Sequence, residues 1–285
     1  MEQSWKVKVW GVRGSFPTPS AEFLQYGGNT SCISVQRGKH LVVLDAGSGF
    51  IGLGDHLPPE NPKRMDLLFS HLHMDHCLGL FGCRLMHDPE MEIHLYGAAQ
   101  EGRSFEQNLN DLIRPPYWPM GLRDFPASIR IHEISPGECF VLKGEAGDSG
   151  DIKVYTLRGN HPNQSLLYRL EAGGESIVYG LDCELTEEIR PSLRDFSRNC
   201  GLLIWDACFT EEDLAKHRGW GHSSWKQGIS LGREAGAGTV LMTHYFSKYT
   251  DTLLQAQEKL AVRADSLCRF AREGMDLCLP QAGDI

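Results

Sequence analysis

The sequence lacks a long hydrophobic run and any segment rich in lysine and arginine. No stretch approaches the roughly 18 apolar residues of a membrane-spanning helix, and the opening residues MEQSWKVKVWG resemble a strand rather than a secretory signal. We therefore expect no membrane segment and a cytoplasmic protein. With 28 basic and 37 acidic residues the formal charge is −9, which disfavours binding to a long nucleic acid through a broad basic face. The negative net charge is compatible with a small anionic substrate, because a metal ion or a helix N-terminus supplies local positive charge.

The nine cysteines form no CxxC pair, and their number is odd. Several lie in apolar segments such as CISV and IWDACF, a placement typical of buried free thiols. Disulfides or cysteine ligation are the alternatives. The pattern favours a reducing compartment.

Strand-like and helix-like segments alternate along the chain, which predicts an α/β or α+β layered fold in one domain over residues 1–285. The predicted strands are 5–10, 31–36, 40–45, 66–70, 91–96, 129–134, 151–157, 165–170, 176–181, 201–206 and 238–243. The predicted helices are 98–113, 185–198, 211–217, 224–235 and 251–272. The segment 112–126, rich in proline and aromatic residues, is a lid, a partner surface or a plain loop, and as a partner surface it would favour a homodimer.

The densest polar motif is SHLHMDH, which directly follows the apolar run MDLLF. It places His71, His73, Asp75 and His76 within six positions at the end of a predicted buried strand. Imidazoles and carboxylates are ligands for zinc, manganese and iron. The motif is either a solvated polar loop or a metal site. In the second case the spacing suggests two ions, with His71 and His73 facing one and Asp75 and His76 facing the other.

Further ligands for such a site should also follow strands. His161, Asp182 and His244 each come directly after a β-rich run. Each alone is an ordinary turn residue in most proteins. Their joint placement downstream of the histidine cluster favours a metal site.

HLHMDH matches the HxHxDH signature of the metallo-β-lactamase superfamily, and the order of His161, Asp182 and His244 resembles that of the ligands that follow it there. The resemblance implies an α+β fold, the αβ/βα four-layer sandwich, in which two mixed sheets pack face to face with helices on the outer faces. It implies that Asp182 bridges two divalent ions. Zinc is the expected metal, and manganese and iron are the alternatives. Asp45 in LDAGSG resembles an aspartate that supports the metal loop. The two sets of implied ligands are His71, His73 and His161 for the first ion and Asp75, His76 and His244 for the second.

The segment GWGHSSW resembles the His-Ser-Thr element of the tRNA 3′-processing endonucleases and related phosphodiesterases. His222 lies just before a predicted helix whose N-cap is Ser224, and a helix N-terminus favours an anion. The resemblance implies that His222 assists the phosphate and the leaving group. The alternative is a loop histidine beside a capped helix. HYFSKYTD resembles the segment after the last ligand in those enzymes, with Lys248 where arginine is more usual.

The N-terminal stretch GVRGSFPTP…YGGNTSC resembles a subgroup of phosphodiesterase-like members. Its Arg13, Ser15 and Asn29 either line the substrate pocket opposite the metals or support turns. The Gly27-Gly28-Asn29 turn is expected to need a positive φ.

The tRNA enzymes carry a basic protruding arm, and the insertion at 101–126 is short and has no dense basic run. Together with the charge, this favours a small phosphodiester such as a cyclic nucleotide or a short oligonucleotide end. We predict a binuclear phosphodiesterase in which a metal-activated water attacks phosphorus. Asp75 is expected to hold the metal on the nucleophile side and His222 to act on the leaving group. The alternatives are a thioester or lactone hydrolase with the same metals, and a non-hydrolytic metal-bearing sensor.

Overall fold

The computed structural model describes residues 4–57, 63–144 and 150–279, and these residues form sixteen strands and seven α-helices. The strands are β1 Lys6–Gly11, β2 Arg13–Gly14, β3 Cys32–Arg37, β4 His40–Leu44, β5 Arg64–Leu68, β6 Glu92–Gly97, β7 Ser128–Glu133, β8 Cys139–Leu142, β9 Ile152–Gly159, β10 Ser165–Ala172, β11 Glu175–Gly180, β12 Leu202–Asp206, β13 Thr239–Thr243, β14 Tyr245–Phe246, β15 Cys268–Phe270 and β16 Asp276–Cys278. The helices are α1 Gly49–His56, α2 Met74–Cys77, α3 Phe105–Leu112, α4 Arg190–Phe196, α5 Glu211–Lys216, α6 Trp225–Ala235 and α7 Asp251–Ala264.

Fourteen of these strands form two seven-stranded sheets. The first has the order β16-β1-β3-β4-β5-β6-β7, antiparallel as far as β4 and parallel from β4 to β7. The second has the order β15-β13-β12-β11-β10-β9-β8, parallel from β15 to β11 and antiparallel beyond. Both sheets are therefore mixed. The short strands β2 and β14 pair with each other.

Alternation of side chains along the strands explains the layers. In β4, Val42 and Leu44 join the core between the two sheets, whereas Leu41 and Val43 join a second core on the outer face of the first sheet. Helices α1 and α3 cover that second core. On the other sheet, α6 packs against β12 and β13, and α7 against β15. The predicted αβ/βα sandwich is confirmed.

The predicted strands all exist, but three predicted helices were too long, among them 185–198, of which only α4 is helical. The segment 98–113 becomes helical only from Phe105, because Ser104 caps α3 with a reciprocal hydrogen-bonded box to Gln107. The segment 251–272 ends its helix at Ala264 and continues as β15. The prediction omitted α1, α2, β2, β8, β14 and β16. Helix α1 contains three glycines in eight residues, and glycine has a low helix propensity.

The segment 112–126 is folded onto the outer core of the first sheet. Ile113, Leu122 and Phe125 are buried there, and Trp118 contacts Phe81 with ring centroids 5.1 Å apart. This packing gives the segment the role of a structural cover for the sheet. The homodimer that it would favour as a partner surface stays a prediction.

The topology brings several strand ends to one edge of the molecule. Strands β11, β12 and β13 are parallel, and β9 runs with them because β10 is antiparallel to both β9 and β11. The residues that follow these strands therefore meet at one edge of the second sheet, opposite the loops after β4 and β5 of the first. All nine cysteines are free and seven are buried, as predicted. Among the described residues no helix is long and apolar enough to cross a membrane.

Candidate metal centre

The loop after β5 is held by one buried carboxylate. Asp45 Oδ1 accepts a hydrogen bond from the Ser70 amide at 2.7 Å. Its Oδ2 accepts from the Ser70 hydroxyl, the Tyr179 hydroxyl and the His76 Nδ1–H, each at 2.7 Å. Asp45 therefore fixes the loop and leaves His76 Nε2 as the free ring nitrogen. These are the hydrogen bonds that a residue supporting the loop would make.

Two hydrogen bonds from the second sheet also hold this loop. The Tyr168 hydroxyl donates to the Phe69 carbonyl at 2.5 Å, and the Leu166 amide donates to the Ser70 carbonyl at 2.8 Å. These bonds fix the distance between the loop of one sheet and the strand ends of the other. The histidine cluster is therefore preorganised rather than a solvated loop.

Three polar residues at strand ends have left-handed backbone conformations. The φ angles are 59° at Asp45, 54° at Asp182 and 61° at His244. Such conformations are uncommon outside glycine and cost on the order of 1–3 kcal/mol each, and they cluster at functional sites. All three side chains contact the candidate site: Asp45 bonds His76, and Asp182 lies 3.3 Å from His244.

The predicted residues form two neighbouring groups of donor atoms. His71, His73 and His161 form one group, and Asp75, His76 and His244 form the other, with the donor atoms of each group within 4.8 Å of one another. Asp182 lies between them. Its Oδ1 is 3.4 Å from His161 Nε2 and 3.3 Å from His244 Nε2, and its Oδ2 is 3.0 Å from His76 Nε2.

Several buried polar atoms of these residues have no hydrogen-bond partner. They include His71 Nε2, His76 Nε2, His244 Nε2 and Asp182 Oδ2. An unpaired buried polar group costs about 1–3 kcal/mol, so such a concentration indicates a missing partner. The orphaned atoms are nitrogen and oxygen donors that face one another across a few ångströms. A divalent cation is the partner that satisfies them all, and the residues fit a metal site.

The two donor groups differ in the electrostatic surroundings of their histidines. Burial, then the charge of His76, holds the pKa of His71 well below its usual range. Burial likewise lowers the pKa of His73, and that of His161 to about 4. These three imidazoles are neutral at pH 7, which is the form that binds metal.

Around the second group, negative charge dominates. Burial alone would lower the pKa of His76, but Asp182, Asp75 and Asp45 outweigh it and raise that pKa well above its usual value. Burial would raise the pKa of Asp75 and of Asp182, but the neighbouring histidines outweigh burial and lower both. Two carboxylates that stay ionised in a buried pocket need positive charge close by.

His222 lies over the site and is held by a residue that the sequence analysis missed. Its Nδ1 is 2.8 Å from Asp206 Oδ2, and its ring lies 5.4 Å from that of His161 and 5.2 Å from that of His244. Burial opposes protonation of His222, but Asp206, Asp182 and Asp75 outweigh it and raise its pKa to about 9. The buried Asp206 also accepts from the Cys208 amide at 2.9 Å, which orients its carboxylate.

The loop 219–221 places His222 over the site and is itself held by hydrogen bonds to Glu184. Glu184 Oε2 accepts from the amides of Gly219 and Gly221 at 2.7 and 3.3 Å. Gly221 has φ +85°, and a Cβ there would lie 2.2 Å from His161 Cδ2. Only glycine allows this close approach. Ser224 then caps α6 through a box with Gln227, as predicted.

Of the other predicted pocket residues, some lie in the site and others lie outside it. The Ser15 amide donates to Asp75 Oδ2 at 2.7 Å, so Ser15 lies in the site. Of the two roles left open for Arg13, its contacts match the support of turns, because its fully buried guanidinium donates to the carbonyls of Gly27 and Tyr249.

Asn29 also supports a turn rather than the pocket, since its side-chain Nδ2 donates to Glu273 and its Oδ1 accepts from Ser48. Gly27 has φ +109°, as the turn was expected to require. Lys248 is exposed, with its ammonium 5.7 Å from the centroid of the Phe246 ring.

Two further residues contact the candidate ligand His244 and the supporting residue Asp45. The Ser31 hydroxyl is 2.8 Å from His244 Nδ1, and the Tyr179 hydroxyl bonds Asp45. Asp206 was detectable in the sequence, because it ends a β-rich run as Asp182 and His244 do. Ser31 and Tyr179 carry no such signal. Cys208 forms a third donor group with Asp206 and His222, but burial raises the pKa of its thiol well above the usual value, so it is a poor metal ligand.

Comparisons with known proteins agree with this geometry. The model of the family described as "Beta-lactamase superfamily domain" matches residues 40–245. Ribonuclease Z of Archaeoglobus fulgidus is 24% identical over 302 residues, covering 86% of this chain and 89% of its own. The solved metallo-β-lactamase fold protein YhfI of Bacillus subtilis has a TM-score of 0.70 at 21% identity, covering 97% of this chain and 99% of its own. A diphosphatase of the PhnP family has a TM-score of 0.67 at 18% identity, with 98% of each chain covered.

Proposed function

The chain belongs to the metallo-β-lactamase superfamily, and from this premise we propose that it is a binuclear metal-dependent phosphodiesterase that acts on a small phosphodiester. The observation that carries the proposal is the buried His222–Asp206 pair beside the two donor groups. Metal ligands alone are shared by many chemistries on this fold. A histidine oriented by a carboxylate over the site is a group that can act on a phosphate oxygen.

The metal assignment follows the two donor groups. His71, His73 and His161 would hold one ion, and Asp75, His76 and His244 the other. Asp182 would bridge them, since its two oxygens face both groups. Nitrogen and oxygen donors suit zinc, manganese or iron. When bound, such ions lower the pKa of water toward neutrality and offset the charge of a phosphate.

Asp206, His222 and Asp75 would have separate roles in the reaction. Asp206 fixes His222 through Nδ1, which leaves Nε2 as the nitrogen for a substrate oxygen. A protonated His222 stabilises the charge that develops on the phosphate or donates its proton to the departing alkoxide. Asp75 is oriented by the Ser15 amide, which holds one of its oxygens.

A small substrate is supported by charge. The formal charge of −9 disfavours long nucleic acids, so attraction of the substrate is left to the metal centre. The relatives include ribonuclease Z and a diphosphatase, both named for phosphate-ester or phosphoanhydride substrates. A cyclic nucleotide or a short oligonucleotide end fits this class.

A substrate panel on metal-loaded protein tests the proposal. It contains an aryl phosphodiester, a thioester, a lactone, a chromogenic β-lactam and an RNA with a 3′ extension. We expect hydrolysis of the aryl phosphodiester, loss of that activity in Asp75→Ala, and a fall of about 100-fold or more in His222→Ala at unchanged metal content.

His56→Ala, which removes an exposed histidine of α1, is the matched control and should keep full activity. Turnover of the thioester or lactone without the phosphodiester would overturn the proposal. An unchanged rate in His222→Ala would remove the role of that residue, and a preference for the extended RNA would overturn the small substrate.

A further inference from the structure

Three of the eight exposed large apolar side chains in the described part of the chain lie next to residues of the candidate metal centre. Among the described residues, Met74 lies between two candidate ligands and is 48% exposed, and Trp220 lies two residues before His222 and is 55% exposed. Phe16 is 68% exposed and follows Ser15, whose amide bonds Asp75. Exposed apolar side chains grouped at a site indicate apolar contact with a ligand.

Trp220 is the one of these three whose backbone is clamped on both sides. The Glu184 carboxylate accepts from the amides of its two neighbours, Gly219 and Gly221. The Trp220 amide itself donates to the His217 carbonyl at 3.1 Å. A Cβ on Gly221 would lie 2.2 Å from His161 Cδ2, so this part of the loop packs closely against His161. A half-exposed indole on a fixed loop needs little ordering when a ligand binds.

A series of ring contacts connects Trp220 to the catalytic histidine. The Trp220 ring lies 4.6 Å from the His217 ring at 81°, and the His217 ring stacks on Phe209 at 4.6 Å and 13°. Phe209 in turn packs edge-on against His222 at 5.6 Å. The indole is therefore supported from behind by the same aromatic group that borders His222. It is an aromatic surface at a fixed position beside the place where the phosphate would bind.

We propose that Trp220 is the stacking surface for a planar aromatic group of the substrate, such as the base of a nucleotide. This inference rests on the proposed function, because it places the phosphate at the metal centre. Stacking on an aromatic side chain is tolerant of the base, so it would select nucleotides over aliphatic phosphodiesters without selecting a sequence. Trp220 would thus set the substrate class of the site.

The test compares two ligands that differ only in the base. Binding of 5′-AMP and of ribose 5-phosphate to metal-loaded protein is measured by calorimetry. We expect 5′-AMP to bind about tenfold more tightly, which corresponds to about 1.4 kcal/mol. Trp220→Leu should remove most of this gap by weakening only 5′-AMP, and Trp220→Phe should keep most of it. Leu260→Ala, which removes another exposed apolar side chain, on α7, should leave both affinities unchanged.

Equal affinities in the wild-type protein, no binding of 5′-AMP, or a gap that persists in Trp220→Leu would each overturn the stacking role. The proposed function is judged separately. A protein that shows the gap but hydrolyses no phosphodiester keeps the stacking site and loses the reaction. A phosphodiesterase without the gap keeps the reaction and loses the stacking site.

Discussion

Asp206 offers a sharp prediction, because it is buried and its contacts fix what a substitution would do. Asp206→Asn keeps the side-chain volume. The Asn oxygen can still accept a hydrogen bond from the Cys208 amide, which lies 2.9 Å from Asp206 Oδ1 in the unchanged protein. The amide NH₂ would then face His222 Nδ1, where the carboxylate oxygen lies at 2.8 Å. An NH₂ group donates, so it requires an unprotonated Nδ1 and disfavours the doubly protonated ring.

The size of the effect follows from this change. A neutral ring that carries its proton on Nε2 is a far weaker acid than an imidazolium, so Asp206→Asn should approach His222→Ala in its loss. General acid catalysis contributes about 10²–10⁴-fold, and loss of a partner that orients a catalytic group costs at least about tenfold. We expect kcat for an aryl phosphodiester to fall by at least about 100-fold at neutral pH.

A double-mutant cycle measures whether Asp206 acts through His222. If it does, the double variant Asp206→Asn/His222→Ala should be no slower than His222→Ala alone, within about threefold. Metal content, measured in all four proteins, should stay equal. Losses that multiply, or ions lost in Asp206→Asn, would refute the reasoning and give Asp206 a separate role in the fold or the metal centre.

Three further substitutions test the surroundings of the site and the sheet behind it. Asp45→Asn leaves several buried donors without their carboxylate, so we expect a loss of at least about 3 kcal/mol and a melting temperature lower by about 6 °C in thermal unfolding. Ser31→Ala removes the hydroxyl partner of His244 and should weaken metal binding about 10- to 100-fold in competition with a chromophoric chelator. Burial would raise the pKa of Asp66, but contacts with His40 and Arg64 outweigh it and lower that pKa below its usual 3.8. The stabilisation is therefore present above pH 3.8 and is lost as pH falls through the lowered value. Asp66→Asn should thus cost about 1–3 kcal/mol at pH 7 and much less near pH 3 in urea unfolding, and an equal cost at both would contradict this assignment.

The candidate ligands could be predicted because strand ends carry a local signal. His161, Asp182 and His244 each follow an apolar β-rich run, and the parallel strands bring such ends to one edge whatever the side chains between them. The alternation of strands and helices predicted a layered α/β or α+β fold, and the resemblance to the metallo-β-lactamase superfamily implied the αβ/βα sandwich. Local sequence was sufficient here because each side chain needs only its own strand to be placed.

Residues whose role depends on a partner far along the chain could not be predicted in this way. Arg13 is a charged residue in a glycine-rich turn, which left pocket lining and turn support both open, and its partners are the carbonyls of Gly27 and Tyr249. Tyr179 resembles any buried strand residue until the second sheet brings its hydroxyl to Asp45, 134 positions away. The end of the last long helix was missed for a related reason. β15 is a strand because it pairs with β13, and its own sequence does not require it.

The central claim is that two ions bound in the groups around Asp182 are needed for phosphodiester hydrolysis. The most direct measurement is the rate on an aryl phosphodiester as zinc or manganese is added back to chelator-treated protein, with bound metal counted in parallel. We expect no turnover without metal and a rate that saturates at about two equivalents of bound ion per chain, as a two-metal mechanism requires. Saturation at one equivalent, or no turnover when two ions are bound, would contradict the account.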